Sequence, residues 1–138
     1  MNKSWIKLIM GVGLAGSVAL AAGTANAEDR AKVDYVNYCA ACHGVDGTGD
    51  GPMASALKAK PTNLTLLAKN NGGNFPYLKL VKTIDGSMET GSMRPHSTHD
   101  MPVWGDVFRR EAGVDNAQYM VAQARIMSIV EYILSKQK

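Results

Sequence analysis

The sequence predicts a small all-α domain, and three observations carry that expectation. Apolar residues recur at spacings of three and four in the stretches 28–42, 75–84 and 116–136, which is the period of an amphipathic helix. Gly and Pro clusters at 44–52, 61 and 71–73 punctuate the chain between those stretches. The only two cysteines lie three apart in Cys39-Ala40-Ala41-Cys42-His43, with no βαβ pattern around them of the kind a thioredoxin-like dithiol brings.

The first 27 residues are not expected to be fold material. Lys3 and Lys7 make a positive start, residues 8–23 are apolar and rich in Ala and Gly, and Ala25-Asn26-Ala27 has the small-x-small form of a signal-peptidase site. Residues 1–27 therefore read as a signal peptide and 28–138 as the exported domain. An uncleaved anchor is the alternative, although the apolar run falls short of the roughly 20 residues that span a bilayer.

A helix is expected over 28–42. Glu28 and Asp29 sit in its first turn, where the helix dipole favours anions, and Ala31, Tyr35, Tyr38, Cys39 and Cys42 fall on one face. The C-x-x-C-H pattern at its end is the attachment signature of a c-type haem. Thiols three apart on one helical face can each add to one vinyl group of the same porphyrin, and His43 can then present its imidazole to the iron. A redox dithiol, a disulfide or two small core residues would not require a histidine directly after the second cysteine, and a structural metal site needs more ligands than these. The domain is accordingly expected to fold as several helices around one covalently attached haem, which gives a chain of about 110 residues a large apolar body to pack against.

Residues 44–52 carry four glycines in a tight loop; they lack the Gly-Lys-Ser/Thr ending of a phosphate loop. Met53 to Lys60 can form a helical turn or two. Pro61 keeps a carbonyl although it lacks an N–H, and that carbonyl could accept the second N–H of His43; alternatively Pro61 only stops a helix. Thr62 or Asn63 can cap a short helix running to about Asn70, ended by Gly72 and Gly73. In 75–84, Tyr77, Leu78, Val81 and Ile84 share one side, with Lys79 and Lys82 on the other. The aperiodic stretch 88–102 holds Met88, Met93, His96, His99 and Met101, and a loop of that length in a small domain usually serves function. In 116–136, Tyr119, Ala122, Ile126, Ile129 and Ile133 form the apolar stripe, Gln118 and Arg125 the polar side, and Lys136 and Lys138 suit the negative helix end.

What fills the second face of the iron decides between a carrier and a reactive site. Met101 is the choice, because it lies far enough past His43 to reach the opposite face and Pro102 restrains it. Met53 is too close to the attachment loop, and Met120 and Met127 read as core packing. Met88, Met93, His96 and His99 remain as alternatives.

Net charge bounds the partners. The chain carries +3, which falls to +1 without Lys3 and Lys7 and to about −1 with two ionised propionates. That near-neutral balance argues against a nucleic-acid partner, which requires a basic face, and makes any docking charge local.

Taken together, the Cys39–Gly44 motif, Pro61-Thr62-Asn63-Leu64-Thr65, Met101-Pro102-Val103-Trp104-Gly105 and the final helix resemble the class I, monohaem c-type cytochromes of the bacterial periplasm, over 28–138. The resemblance implies a small cytochrome c fold whose N- and C-terminal helices cross, with Ala31 and Tyr35 meeting Ile129 and Tyr132; alanine stands where that family usually has glycine. It implies that the Pro61 carbonyl orients His43, that Met101 sulfur ligates iron, and that Trp104 lies beside the haem and donates to a propionate, as Arg94 could. It further implies a periplasmic electron-transfer protein rather than an enzyme. The protein would be a monomer or would join transient complexes with a redox donor and acceptor, docking guided by Lys58, Lys60, Lys79 and Lys82. It would have no membrane span once the leader is removed. A dedicated subunit of a dehydrogenase or oxidase is the alternative, and a haem-based ligand sensor a more distant one.

Overall fold

A computed structural model describes residues 21–87, 101–113 and 117–138, with side chains from residue 27 onward. Among the described residues the secondary structure is helical throughout: α1 (Ala21–Tyr38), α2 (Ala40–His43), α3 (Tyr77–Asp85), α4 (Trp104–Glu111) and α5 (Gln118–Leu134), with single 3₁₀ turns at Ala54–Ala56, Leu64–Leu66 and Lys69–Asn71. α5 is the axis of the fold, and α1, α3 and α4 all pack against it. Its apolar stripe explains why: Ala122, Ile126, Ile129 and Val130 have no exposed surface at all. Burying a large aliphatic side chain contributes about 1.5–3 kcal/mol, so this stripe is the main source of tertiary stability.

The packing of α1 on α5 follows the expected residues. Ala31, Tyr35, Ile129 and Tyr132 are all buried in one core cluster, and the Tyr35 and Tyr132 rings meet at 5.2 Å between centroids with a 47° tilt. The Tyr35 hydroxyl donates to the Gly44 carbonyl at 2.8 Å, which ties α1 to the loop after the cysteine motif.

The helix expected over 28–42 is broken at Cys39 (φ −117°, ψ −37°) into α1 and α2, and α1 begins earlier, in the Ala-rich stretch at Ala21. The break leaves the Cys39 carbonyl to accept from both Cys42 and His43. The glycine loop then folds back on α2: Gly49 N–H donates to His43 O (2.8 Å), Gly51 N–H to Cys42 O (3.1 Å) and Met53 N–H to Ala41 O (2.9 Å). A side chain at Gly51 would sit 2.5–2.6 Å from the Ala41 and Ala40 carbonyls, so the return is possible only with glycine there.

Several expectations change. The short helix after Pro61 is two separate 3₁₀ turns; Asn63 is its cap, accepting from Thr65 N–H at 2.9 Å and Thr65 Oγ1 at 2.7 Å. Leu78 is 72 % exposed, because α3 turns Leu80 and Ile84 inward. Met120 and Met127 are exposed as well, lying outside the buried stripe of α5. α4 is an addition to the expected helices, although Trp104 and Phe108 at i, i+4, Asp106 in the first turn and Arg109 and Arg110 in the last are helix signals. Gly105 lets α4 approach α3, for any Cβ there would meet the Asp85 carbonyl at 2.5 Å. Met88, Met93, Arg94, His96 and His99 lie outside the described residues.

Candidate functional site

α2, the turn at 62–67, α3, Met101 and the end of α5 enclose a cavity of about 350 Å³. Cys39 and His43 line it from the cysteine motif; Leu64, Leu67, Pro76, Leu80, Ile84 and Ile133 make its apolar walls, and Met101 faces it too. Thr62, Asn70, Asn71, Lys79 and Thr83 are its polar lining residues. The cavity is thus apolar, with one imidazole and one thioether among its walls.

His43 Nδ1 lies 3.0 Å from the Thr62 carbonyl oxygen. A carbonyl only accepts, so Nδ1 carries the proton and Nε2 is left with a free lone pair. Burial lowers the His43 pKa below its ordinary value, against a smaller opposing effect of the Thr62 bond, a direction that favours the neutral ring. The expected partner was Pro61. Its carbonyl instead faces Gly49, which it approaches so closely that a Cβ there would strike it, and Gly49 holds the positive φ of 83° that this approach requires. The chain is extended at this point, as Asn63 is (φ −70°, ψ 106°), so neighbouring carbonyls point to different sides and the next one reaches the histidine.

Cys39 is buried and Cys42, three residues on, is half-buried; they do not form a disulfide with each other. Burial pushes the Cys39 thiol up to about 12, with the charges of Asp34 and Cys42 adding to the effect. A thiol so reluctant to ionise is a poor redox nucleophile, whereas a thioether bond puts no charge into the site. Among the described residues no three His, Cys, Asp or Glu side chains converge as a metal-binding group. The residues present fit a flat apolar group: the cysteine sulfurs are available for thioethers, and the His43 imidazole and the Met101 thioether line one apolar cavity.

Trp104 packs among aromatic rings. It is not a cavity-lining residue; its ring packs edge-on to Tyr38 at 5.3 Å and stacks on Phe108 at 6.1 Å. The residues beside it form a cluster that sequence reading missed. Arg125 donates through Nε and Nη2 to both oxygens of Asp34 (2.7 Å each), through Nη1 to Glu111 at 2.6 Å and through Nη2 to the Tyr38 hydroxyl at 3.1 Å. Its guanidinium also lies 4.4 Å from the Phe108 ring centroid and 4.9 Å from that of Tyr38. The sequence does carry a signal for it: Asp34 is a carboxylate inside the buried face that runs through Ala31, Tyr35 and Tyr38.

A family model for cytochrome c matches residues 29–136. The chain belongs to the cytochrome c family. No curated protein and no solved structure matches it. Cytochromes c hold haem c covalently, and the geometry above is consistent with that group in each element: thiols at the end of the first long helix, a neutral imidazole with its Nδ1 already committed, and an apolar cavity between α2, α3 and α5. As a cytochrome c, this protein is an electron-transfer haem protein with redox partners. No helix among its described residues is long and apolar enough to cross a membrane.

Proposed function

We propose that this cytochrome is a one-electron carrier of the periplasm, exported by residues 1–27, with a single haem attached through Cys39 and Cys42 and ligated by His43 and Met101. The observation that carries this reading is that His43, with Nδ1 bonded to Thr62 and Nε2 free, lines the same apolar cavity as Met101. When bound, the haem supplies the one-electron iron couple.

The chain's own residues do the rest. Thr62 fixes the tautomer and orientation of His43 and strengthens it as a donor. The Met101 thioether is a weak donor that favours Fe(II) and raises the potential. Leu64, Leu67, Leu80, Ile84 and Ile133 exclude water, which lowers the reorganisation accompanying electron transfer, and no substrate is transformed. Donor and acceptor dock transiently, and Lys79, exposed on the cavity lining, sits where docking brings a partner close to the haem.

Met101→Ala tests the ligation. The oxidised wild type should show the weak near-infrared sulfur-to-iron band and the variant should lose it, with a lower potential and rapid carbon monoxide binding to the reduced form. A variant with an unchanged spectrum assigns the ligand elsewhere. Rapid stoichiometric carbon monoxide binding by the wild type would instead refute the carrier reading in favour of a sensor.

A further inference from the structure

The Thr62 carbonyl is delivered by a segment with little regular structure, tied internally by the Asn63 cap on Thr65. Residues 61–71 contain only two single 3₁₀ turns and Thr62 is exposed, and further bonds reach the segment from outside it. One comes from the glycine loop, where Gly47 O accepts from Leu64 N–H at 2.7 Å. The others come from the chain beyond α5. Gln137 places its side-chain amide between the turn and the helix: Nε2 donates to Leu64 O at 2.7 Å and to Ile133 O at 2.9 Å, while Oε1 accepts from Ala68 N–H at 2.9 Å. Lys138 N–H then donates to Thr65 O at 3.0 Å.

From this geometry we propose that Gln137 is a positioning residue for the haem ligand, clamping the 64–68 turn onto α5 so that the Thr62 carbonyl stays on His43 Nδ1. The inference rests on the assignment of His43 as an iron ligand. A primary amide is the side chain for this task, since it presents an acceptor and two donors in one plane. Glutamate could not donate, and asparagine is one methylene too short to span from the helix to the turn. Leu64 is two residues from Thr62, so release of its carbonyl is felt at the histidine over a reach of about 7 Å.

The consequence is electronic as well as structural. A histidine that loses its carbonyl partner is a weaker donor, stabilises Fe(III) less, and leaves the potential higher. The test uses the haem-loaded protein and three variants: Gln137→Ala, Gln137→Met, which keeps length and volume without the amide, and Ser135→Ala. Ser135→Ala is the control, removing a bond at the same helix end (Ser135 Oγ to Tyr132 O, 2.7 Å) without touching the turn. In the reduced protein the His43 Nδ1–H proton should exchange with solvent at least tenfold faster in both Gln137 variants than in the wild type, and the midpoint potential should rise. Ser135→Ala should change neither. Wild-type exchange and potential in both Gln137 variants, or an equal change in Ser135→Ala, overturns the inference. A wild type in which no histidine ring N–H belongs to an iron ligand overturns the His43 assignment first, which separates the two failures.

Discussion

Replacing Arg125 by methionine isolates the ion cluster that joins α1, α4 and α5. The Asp34 residue is only 8 % exposed and its carboxylate has Arg125 on both oxygens, so the substitution leaves a buried charge without its partner. Removing one member of a fully buried pair costs about 3–5 kcal/mol. Here the Arg125 side chain keeps 25 % of its exposure and that of Glu111 40 %, so water reaches part of the cluster and the lower end applies. Loss of the guanidinium from the faces of Phe108 and Tyr38 adds about 0.5–1 kcal/mol. The sum is about 3–4 kcal/mol, which for a domain of this size is a fall in Tm of about 12–16 °C. Urea unfolding of the haem-loaded protein, followed by far-ultraviolet circular dichroism, measures it. The double variant Asp34→Leu, Arg125→Met should recover most of the loss, because it removes the orphaned carboxylate together with its cation. A single variant within about 1 kcal/mol of wild type, or a double variant no more stable than the single, would refute the reasoning.

Other perturbations reach other parts of the fold. Tyr132→Ala removes a buried ring that packs on Tyr35 and should cost about 3–5 kcal/mol, measured by the same unfolding experiment; a change inside the error would take Tyr132 out of the helix contact. Gly51→Ala drives a methyl group into the carbonyls of Ala40 and Ala41 and should destabilise by about 1–3 kcal/mol, with a lower yield of covalently attached haem in a competent host. Glu111 is held below its ordinary value of 4.5, chiefly by the Arg125 hydrogen bond and with help from Tyr38. A depressed folded-state pKa stabilises above the unfolded value and is lost as pH falls through the folded one. Glu111→Gln should therefore shallow the stability-versus-pH curve below about pH 4.5 and leave its slope at neutral pH unchanged; an identical acid limb would contradict the pairing.

The helices that bury a continuous apolar stripe are legible in the chain's periodicity alone. Of the expected stripe, Ala122, Ile126, Ile129 and Ile133 are all buried while Tyr119, in the first turn of α5, is exposed, and Tyr35 meets Tyr132 as the family resemblance implies. The cysteine motif is readable for a different reason: C-x-x-C-H is a spacing that attachment to one porphyrin requires, and membership of the cytochrome c family agrees with it. α4 escapes such a reading because it is short and begins directly after an aperiodic loop, where its few apolar positions look like the loop's continuation. Arg125 escapes because a charged residue on a helix is ordinarily a solvated one, and only the presence of Asp34 on the facing buried stripe converts it into an internal pair.

The histidine partner shows a harder limit. Pro61 and Thr62 are neighbours in an extended segment, and a rotation of the chain by one residue exchanges which carbonyl meets His43 while leaving every local preference unchanged. What selects Thr62 is remote in sequence. Gly49, with its positive φ and no side chain, admits the Pro61 carbonyl on one side, while Gly47 and Gln137 hold Leu64 on the other. Register in a segment without regular structure is set by the contacts at its two ends, and here those ends lie in the glycine loop and at the far terminus of α5. The orientation of the His43 imidazole is for that reason a property of the assembled domain, and it becomes readable only once the last helix is in place.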